Sequence, residues 1–346
     1  MNAKAAEYQG VLAALSVNAS LDEVLEQAER HDAAATTAAE RSRAQLAIGE
    51  ACRRLGRVDR AEAAWRASYR TAREAGDHAA MAWALWSGGT LARQRGRYTL
   101  AHRWLRLAAD AAERGADRVA RGYALAGLAE TGRVQGDFAG TLRLHEQLLA
   151  EARADGDPRH VVWALEGIAQ IHRHAGDHDK ALAMFNEACQ IATEGNDRRG
   201  QAWALRGIAD LTSLRGETDR ALALLADAEP ICREMRLESA LAYNHKMRGN
   251  VLYRAGRYAE AERVYRSTVE EFARISEPRG EALASLGLTK SRARRGAPAA
   301  QIDAELRDLR ARFAASGLHH AAKMAEAARA ELLQALPLRH EESPDA

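Results

Sequence analysis

The chain has 346 residues, room for two ordinary domains or one long array, and is rich in Ala, Leu, Arg and Glu with only six prolines and 5% aromatic residues. Such a composition prefers helix nearly everywhere and excludes a sheet-based fold. Fifty basic residues against 48 acidic leave a net charge of +2, too even a balance to neutralise a phosphate backbone, so no nucleic-acid partner is expected.

No run of about 18 apolar residues is present, and Glu7 and Gln9 fall where a signal peptide would need an unbroken apolar core. The expected location is therefore cytoplasmic, with no membrane partner. Cys52, Cys189 and Cys232 are odd in number and far apart, giving neither a disulfide framework nor a zinc signature.

Residues 1–40 open the chain. Ser20 and Glu23 have the spacing of a capping box, and Leu21 to Arg30 aligns with the second helix of the units that follow, so a degenerate helical hairpin is expected there. From 41 to 315 one feature organises the sequence: Gly56, Gly96, Gly136, Gly176, Gly216, Gly256 and Gly296 recur at an interval of 40 residues. Each stands between two helical segments, where glycine can take the left-handed conformation that ends one helix and reverses the chain. Further breakers at Gly76-Asp77, Gly115, Gly156-Asp157-Pro158, Gly195-Asn196-Asp197 and Glu277-Pro278 close the second helix of a unit, so seven helical hairpins are predicted.

Five residues after the turn glycine stands a small residue (Ala61, Ala101, Ala181, Ala221, Ala261), and nine after it a large one (Trp65, Leu105, Phe185, Leu225, Tyr265). Seven before it stands Gly49, Gly89, Ala129, Ala169, Ala209 or Gly249. The third unit departs with Thr141 and His145, and the sixth with His245 in place of a leucine, so looser packing is expected there. In the seventh, Ile302, Leu306, Leu309 and Phe313 keep a helical spacing about one residue out of register. Residues 316–336 hold an amphipathic helix fit to cap the array, as a solenoid requires, and 337–346 are expected to form a disordered tail.

This arrangement of small and large positions resembles the tetratricopeptide repeat over roughly residues 40 to 315. The resemblance implies an all-α, right-handed superhelical solenoid whose first helices line a concave groove. The 40-residue unit is similar to the longer repeats of kinesin light chains, bacterial peptide-sensing regulators and the helical halves of large transcriptional activators. The effector segments of those families are not expected here.

On the first helix of each unit, positions 12, 11, 8, 7 and 4 before the glycine share one apolar face at about 100° per residue, which is the core. Positions 13, 10, 6 and 3 lie opposite, on the side that the resemblance makes concave. The expected groove residues are Trp83, Trp86, Arg93, Tyr123, Arg133, Trp163, Gln170, Arg173, Trp203, Asp210, Tyr243 and Asn250. Large aromatics fill position 13 in five consecutive units, and Arg53, Arg93, Arg133 and Arg173 fill position 3. Aromatic and Arg side chains concentrate binding energy at interfaces, while the other reading of the aromatics is packing between units. Glu50 and Glu130 stand three residues before Arg53 and Arg133 and can neutralise them. Arg93 and Arg173 have no such acid, which marks them for a ligand carboxylate or phosphate, and Asp210 is expected to occupy Arg206.

His145, His160, His172, His174 and His178 gather near the fourth unit, but their helical spacing does not converge on one point, so no metal is expected. No phosphate loop or nucleophile motif is present, and no cofactor or catalytic residue is expected. The sequence thus predicts an adaptor or regulatory receptor that binds a protein or peptide carrying acidic and apolar residues. The alternative is a small-molecule-binding or catalytic accessory protein with a closed pocket. A third use is a scaffold acting through its outer face, including homo-oligomerisation.

Overall fold

A computed structural model describes residues 20–335. They form helices α1 (Leu21–Ala34), α2 (Ala38–Arg54), α3 (Val58–Glu74), α4 (His78–Gln94), α5 (Tyr98–Arg114), α6 (Arg118–Gln135), α7 (Phe138–Asp155) and α8 (Pro158–Ala175). These are followed by α9 (His178–Glu194), α10 (Arg198–Leu214), α11 (Thr218–Glu234), α12 (Glu238–Arg254), α13 (Tyr258–Arg274), α14 (Pro278–Arg294), α15 (Ala299–Ala315) and α16 (His319–Ala335). Among the described residues there is no strand, and no helix is long and apolar enough to cross a membrane. The expected first half of the N-terminal hairpin and the tail 337–346 lie outside the described residues.

The seven periodic glycines each end an even-numbered helix with φ between 73° and 98°, the left-handed turn that the period predicted. The return turns differ. At Gly115 and Gly195 the left-handed residue is the next one, Ala116 or Asn196 (φ 51° in both). Gly115 is needed for another reason: a Cβ there would lie 2.6 Å from the Ala79 backbone nitrogen. Aspartates cap several returning helices, as Asp77 accepts from the Ala80 amide and Asp197 from the Gly200 amide at 2.9 and 3.0 Å. Ser20 makes no side-chain cap bond, which corrects the capping box expected there; that device sits instead at Thr37 and Glu40. Glu40 accepts from both Thr36 and Thr37 amides.

Successive first helices are held apart by the large residue nine after the turn glycine. Leu105 is wedged between α4 and α6, where a Cβ on Gly89 or Gly127 would meet its side chain at 2.7 Å. Tyr265 lies likewise between Gly249 and Gly287 of α12 and α14, at 2.7 and 2.4 Å. His145 occupies the same slot in the third unit, 3% exposed and seated on Gly167, and Thr141 beside it is 1% exposed. The polar substitutions there are thus buried like the apolar residues they replace. His245 is held by carboxylates, its Nδ1 2.8 Å from Glu271 and its Nε2 3.5 Å from Glu229. In the seventh unit Ile302, Leu306, Leu309 and Phe313 are each at most 3% exposed, so the shifted register still forms core.

The array also closes on itself. Asp22 before the first full unit pairs with Arg236 beyond α11. The turn at Gly56 lies against Ile275, that at Gly96 against Pro278, and that at Gly136 against His320 of α16. Tyr98 and Val134 belong to one apolar cluster with Leu306, Phe313 and Leu318. The early turns therefore form a seam with the last units, and the concave side becomes a lumen.

A wedge geometry makes a definite prediction at Gly207, whose added Cβ would stand 2.4 Å from the Phe185 ring. Gly207→Ala gains about 1 kcal/mol of helix propensity, but forcing the ring aside costs about 1–3 kcal/mol. Urea unfolding should show net destabilisation; a stabilised variant would mean that Phe185 does not set the spacing.

Candidate functional site

The first helices place the concave wall. Their aromatic row is continuous at its N-terminal half, with ring centroids of Trp83 and Tyr123 4.9 Å apart and those of Tyr123 and Trp163 5.0 Å apart. Trp83 and Tyr123 are at most 1% exposed and Trp86, edge-on to both, is 4% exposed. Trp83 donates through Nε1 to Asp117 Oδ2 at 2.8 Å, so its polar atom is also satisfied within the wall. Trp163, Trp203 and Tyr243 are part-exposed, as are Gln170 and Asn250. The Arg199 guanidinium lies 4.5 Å from the Trp203 ring centroid, and Tyr243 Oη accepts from Arg279 at 3.0 Å.

The charges of this wall are largely cross-linked between units. Glu50, fully buried, binds Arg53 at 2.7 Å and Arg54 at 3.6 Å and accepts from Ser87. Glu130 binds Arg133 at 2.6 Å and also Arg93 of the preceding unit at 3.8 Å. Asp210 binds Arg173 of the preceding unit at 3.1 Å and Arg254 of the following one at 2.7 Å. Three expectations are corrected here. Arg93 and Arg173 are not left without acids, because each finds a carboxylate one unit on, which helical spacing within a single helix cannot reveal. Asp210 does not take Arg206. Burial pushes the Glu130 carboxyl up, yet Arg133 and Arg93 outweigh it and hold the group at about 2; Asp210 is lowered in the same way by Arg173 and Arg254.

The tetratricopeptide repeat family matches residues 121–194. This segment carries tetratricopeptide repeats. The solved structures extend this fold over most of the tetratricopeptide array. The Rap conjugation gene regulator of plasmid pLS20 in complex with the Phr* peptide superposes with a TM-score of 0.59 at 12% identity, covering 88% of this chain and 78% of that one. A Rap protein complexed with competence and sporulation factor gives 0.54 at 14% identity, over 86% and 98% of the two chains. The apo quorum sensor NprR from B. thuringiensis gives 0.52 at 13% identity, over 90% and 97%. Against curated protein sequences there is no match.

Within this wall, sequence reasoning passed over Glu166 and Lys246 and set Arg206 aside as a partner of Asp210. They stand ten residues before the turn glycines of α8, α10 and α12, where other units carry Leu46, Trp86, Ala126 and Leu286. The count that located Trp86 locates them too; their signal is a charge where the row is otherwise apolar. The histidines do not assemble into a site: His172 Nδ1 is 3.2 Å from Asp177, His174 stacks on Phe138, and no group of three metal-ligating side chains gathers among the described residues.

His145 has no hydrogen-bond partner on either ring nitrogen, and burial pulls it down to about 4. An unfolded chain protonates this histidine near 6.5, so it takes up a proton as pH falls through 6.5 while the folded chain stays neutral until about 4. Stability should therefore fall across that window, by up to about 3 kcal/mol from this residue. His145→Leu should remove that component in pH-dependent unfolding; an unchanged pH profile would show that the ring is not held neutral.

Proposed function

We propose that this chain is a regulatory receptor or adaptor that captures a segment of a protein or peptide partner in its lumen and performs no chemistry of its own. The observation that carries the reading is the change along the concave wall. Its N-terminal aromatics are closed off, whereas Trp163, Trp203, Tyr243, Gln170 and Asn250 present part-exposed aromatic and amide surface over consecutive units. Such surface suits an extended segment: amides satisfy a backbone, and part-covered rings gain contact area at small entropic cost. The tetratricopeptide fold supports a protein-binding role, and one similar fold holds a peptide. The proposed site lies on α8, α10 and α12, with Glu130 holding Arg93 and Arg133, and Asp210 holding Arg173, along its edge.

The seam favours one alternative, a small-molecule or catalytic accessory site, because contacts such as Gly96 with Pro278 narrow the lumen. The two readings separate by substitution and by crosslinking. Trp83→Ala should lower stability by about 3–5 kcal/mol, as for a fully buried aromatic, while Trp203→Ala should lower the melting temperature less and weaken partner binding. A photo-crosslinking amino acid at Trp203, compared with one at Met324, which is exposed at 44%, should capture peptide segments selectively from the cell of origin. Capture only from Met324 would move the interface to the outer face, and capture of a small metabolite at Trp203 would favour the alternative.

A further inference from the structure

Most charges on the concave wall are spoken for by an opposite charge one unit away. The exceptions stand together. No hydrogen bond or ion pair joins Arg206 or Lys246 to another described residue, and both are only part-buried. Arg206 approaches the Tyr243 ring at 5.8 Å, too far to satisfy its donors. Glu166, on the neighbouring helix α8, is 9% exposed and its Oε1 has no partner. The nearest acid on α10, Asp210, is already shared between Arg173 and Arg254.

Two cations thus stand on adjacent rungs, about 8–10 Å apart by ordinary helix packing, with no hydrogen-bonded counter-ion: Arg206 feels Glu166 through space, and that carboxyl keeps an unsatisfied oxygen of its own. Both side chains are part-exposed, so water solvates them in part. An anion lying between the rungs relieves both, and a guanidinium fork with an ammonium is a matched receptor for a planar carboxylate.

We propose that Arg206 and Lys246 form a carboxylate-binding site in the lumen, with Glu166 supplying a further hydrogen bond to the same ligand. This rests on the peptide-receptor reading and gives it a chemistry: the captured segment carries a carboxylate, from an Asp or Glu side chain or from its C-terminus, seated over α10 and α12.

Protonation follows from the surroundings. Burial lowers Lys246 to about 7; Asp210 on α10 opposes this, and Arg279 on α14, Arg173 on α8 and Arg206 add to it. On the far side of α12, Glu229 of α11 and Glu271 of α13 are taken up by His245. Burial raises the Glu166 carboxyl, with Arg206 opposing, which favours the neutral form that can donate to an incoming anion. Lys246 is therefore part-deprotonated near neutral pH, and a bound anion restores the proton. Binding should take up a fraction of a proton near pH 7 and weaken as pH rises above 7.

The test uses the full chain and a library of random heptapeptides in two arms, one with free C-termini and one amidated, at low salt and pH 6.5. Retained peptides are expected to be enriched in carboxylates, and retention of amidated peptides only when they contain Asp or Glu assigns the side chain as source. Retention of the free-terminus arm regardless of sequence assigns the terminus. In the Arg206→Gln/Lys246→Gln variant, checked for helical content, affinity for a selected peptide should fall at least about tenfold. Glu166→Gln, which keeps a hydrogen-bonding group, should change it less. Retained peptides with no carboxylate enrichment, or an unchanged affinity in the folded double variant, would overturn the site while leaving the receptor intact. Retention of no peptide at all would overturn the receptor reading and this site with it. If the double variant does not fold, calorimetry of the unaltered chain in buffers of different ionisation heat decides, and absence of proton uptake near pH 7 would sink the proposal.

Discussion

The structure depends on one recurring approach of a bulky second-helix side chain to the bare backbone of two first helices. Leu105 between Gly89 and Gly127, and Tyr265 between Gly249 and Gly287, leave no space for a methyl group on either side. A wedge that touches backbone on both sides fixes an interhelix distance more tightly than a pair of flexible side chains can. Wedges seated on at least one glycine recur in the first four units and the sixth, and that spacing sets the curvature of the wall. Curvature in turn brings the turns at Gly56, Gly96 and Gly136 against Ile275, Pro278 and His320, and so creates the lumen.

The wedge also explains why polar residues are admitted to the third unit. His145 keeps the volume that the slot demands, and burial keeps its ring neutral. Shape is the requirement there, and the cost of burying unpartnered ring nitrogens grows further when protons are abundant. His245 follows the other course: hydrogen bonding to Glu271 raises its affinity for a proton against the opposing effect of burial. Two histidines that stand where other units carry apolar residues thus respond to acid with opposite signs, because one has carboxylates across from it and the other has a glycine.

How much of this was written in the sequence depends on the range of the interaction. The turn glycines, the small and large positions and the aromatic row are features within one helix or between neighbouring helices in register, and a 40-residue period displays them directly. The capping device was misplaced from Ser20 to a position seventeen residues on because spacing alone does not establish which hydroxyl is oriented toward the amides. The partners of Arg93 and Arg173 were missed because Glu130 and Asp210 reach them across a unit boundary. An arginine judged only against its own helix looks free when the next helix satisfies it. The seam is the extreme case, since Asp22 and Arg236 are joined by no pattern in the sequence.

Those pairings along the wall have an order of their own. Acids at position 6 occur in the first, third and fifth units, as Glu50, Glu130 and Asp210, and the last two bind arginines from neighbouring units. The ladder is stitched across its rungs, so a substitution at one acid releases two guanidiniums from different helices. Against this background the unstitched row of Glu166, Arg206 and Lys246 is the departure, and departures from local consistency are where function is expected to reside.

The seam bears on how such a chain can change over evolutionary time. An open solenoid tolerates the gain or loss of a whole unit, since each unit touches only its neighbours. Here the turn at Gly96 must meet Pro278 and the turn at Gly136 must meet His320. Duplicating any unit between them would carry the C-terminal partners one step past their contacts and leave apolar surface of Tyr98 and Val134 uncovered. The number of repeats between these partners is therefore constrained by the seam.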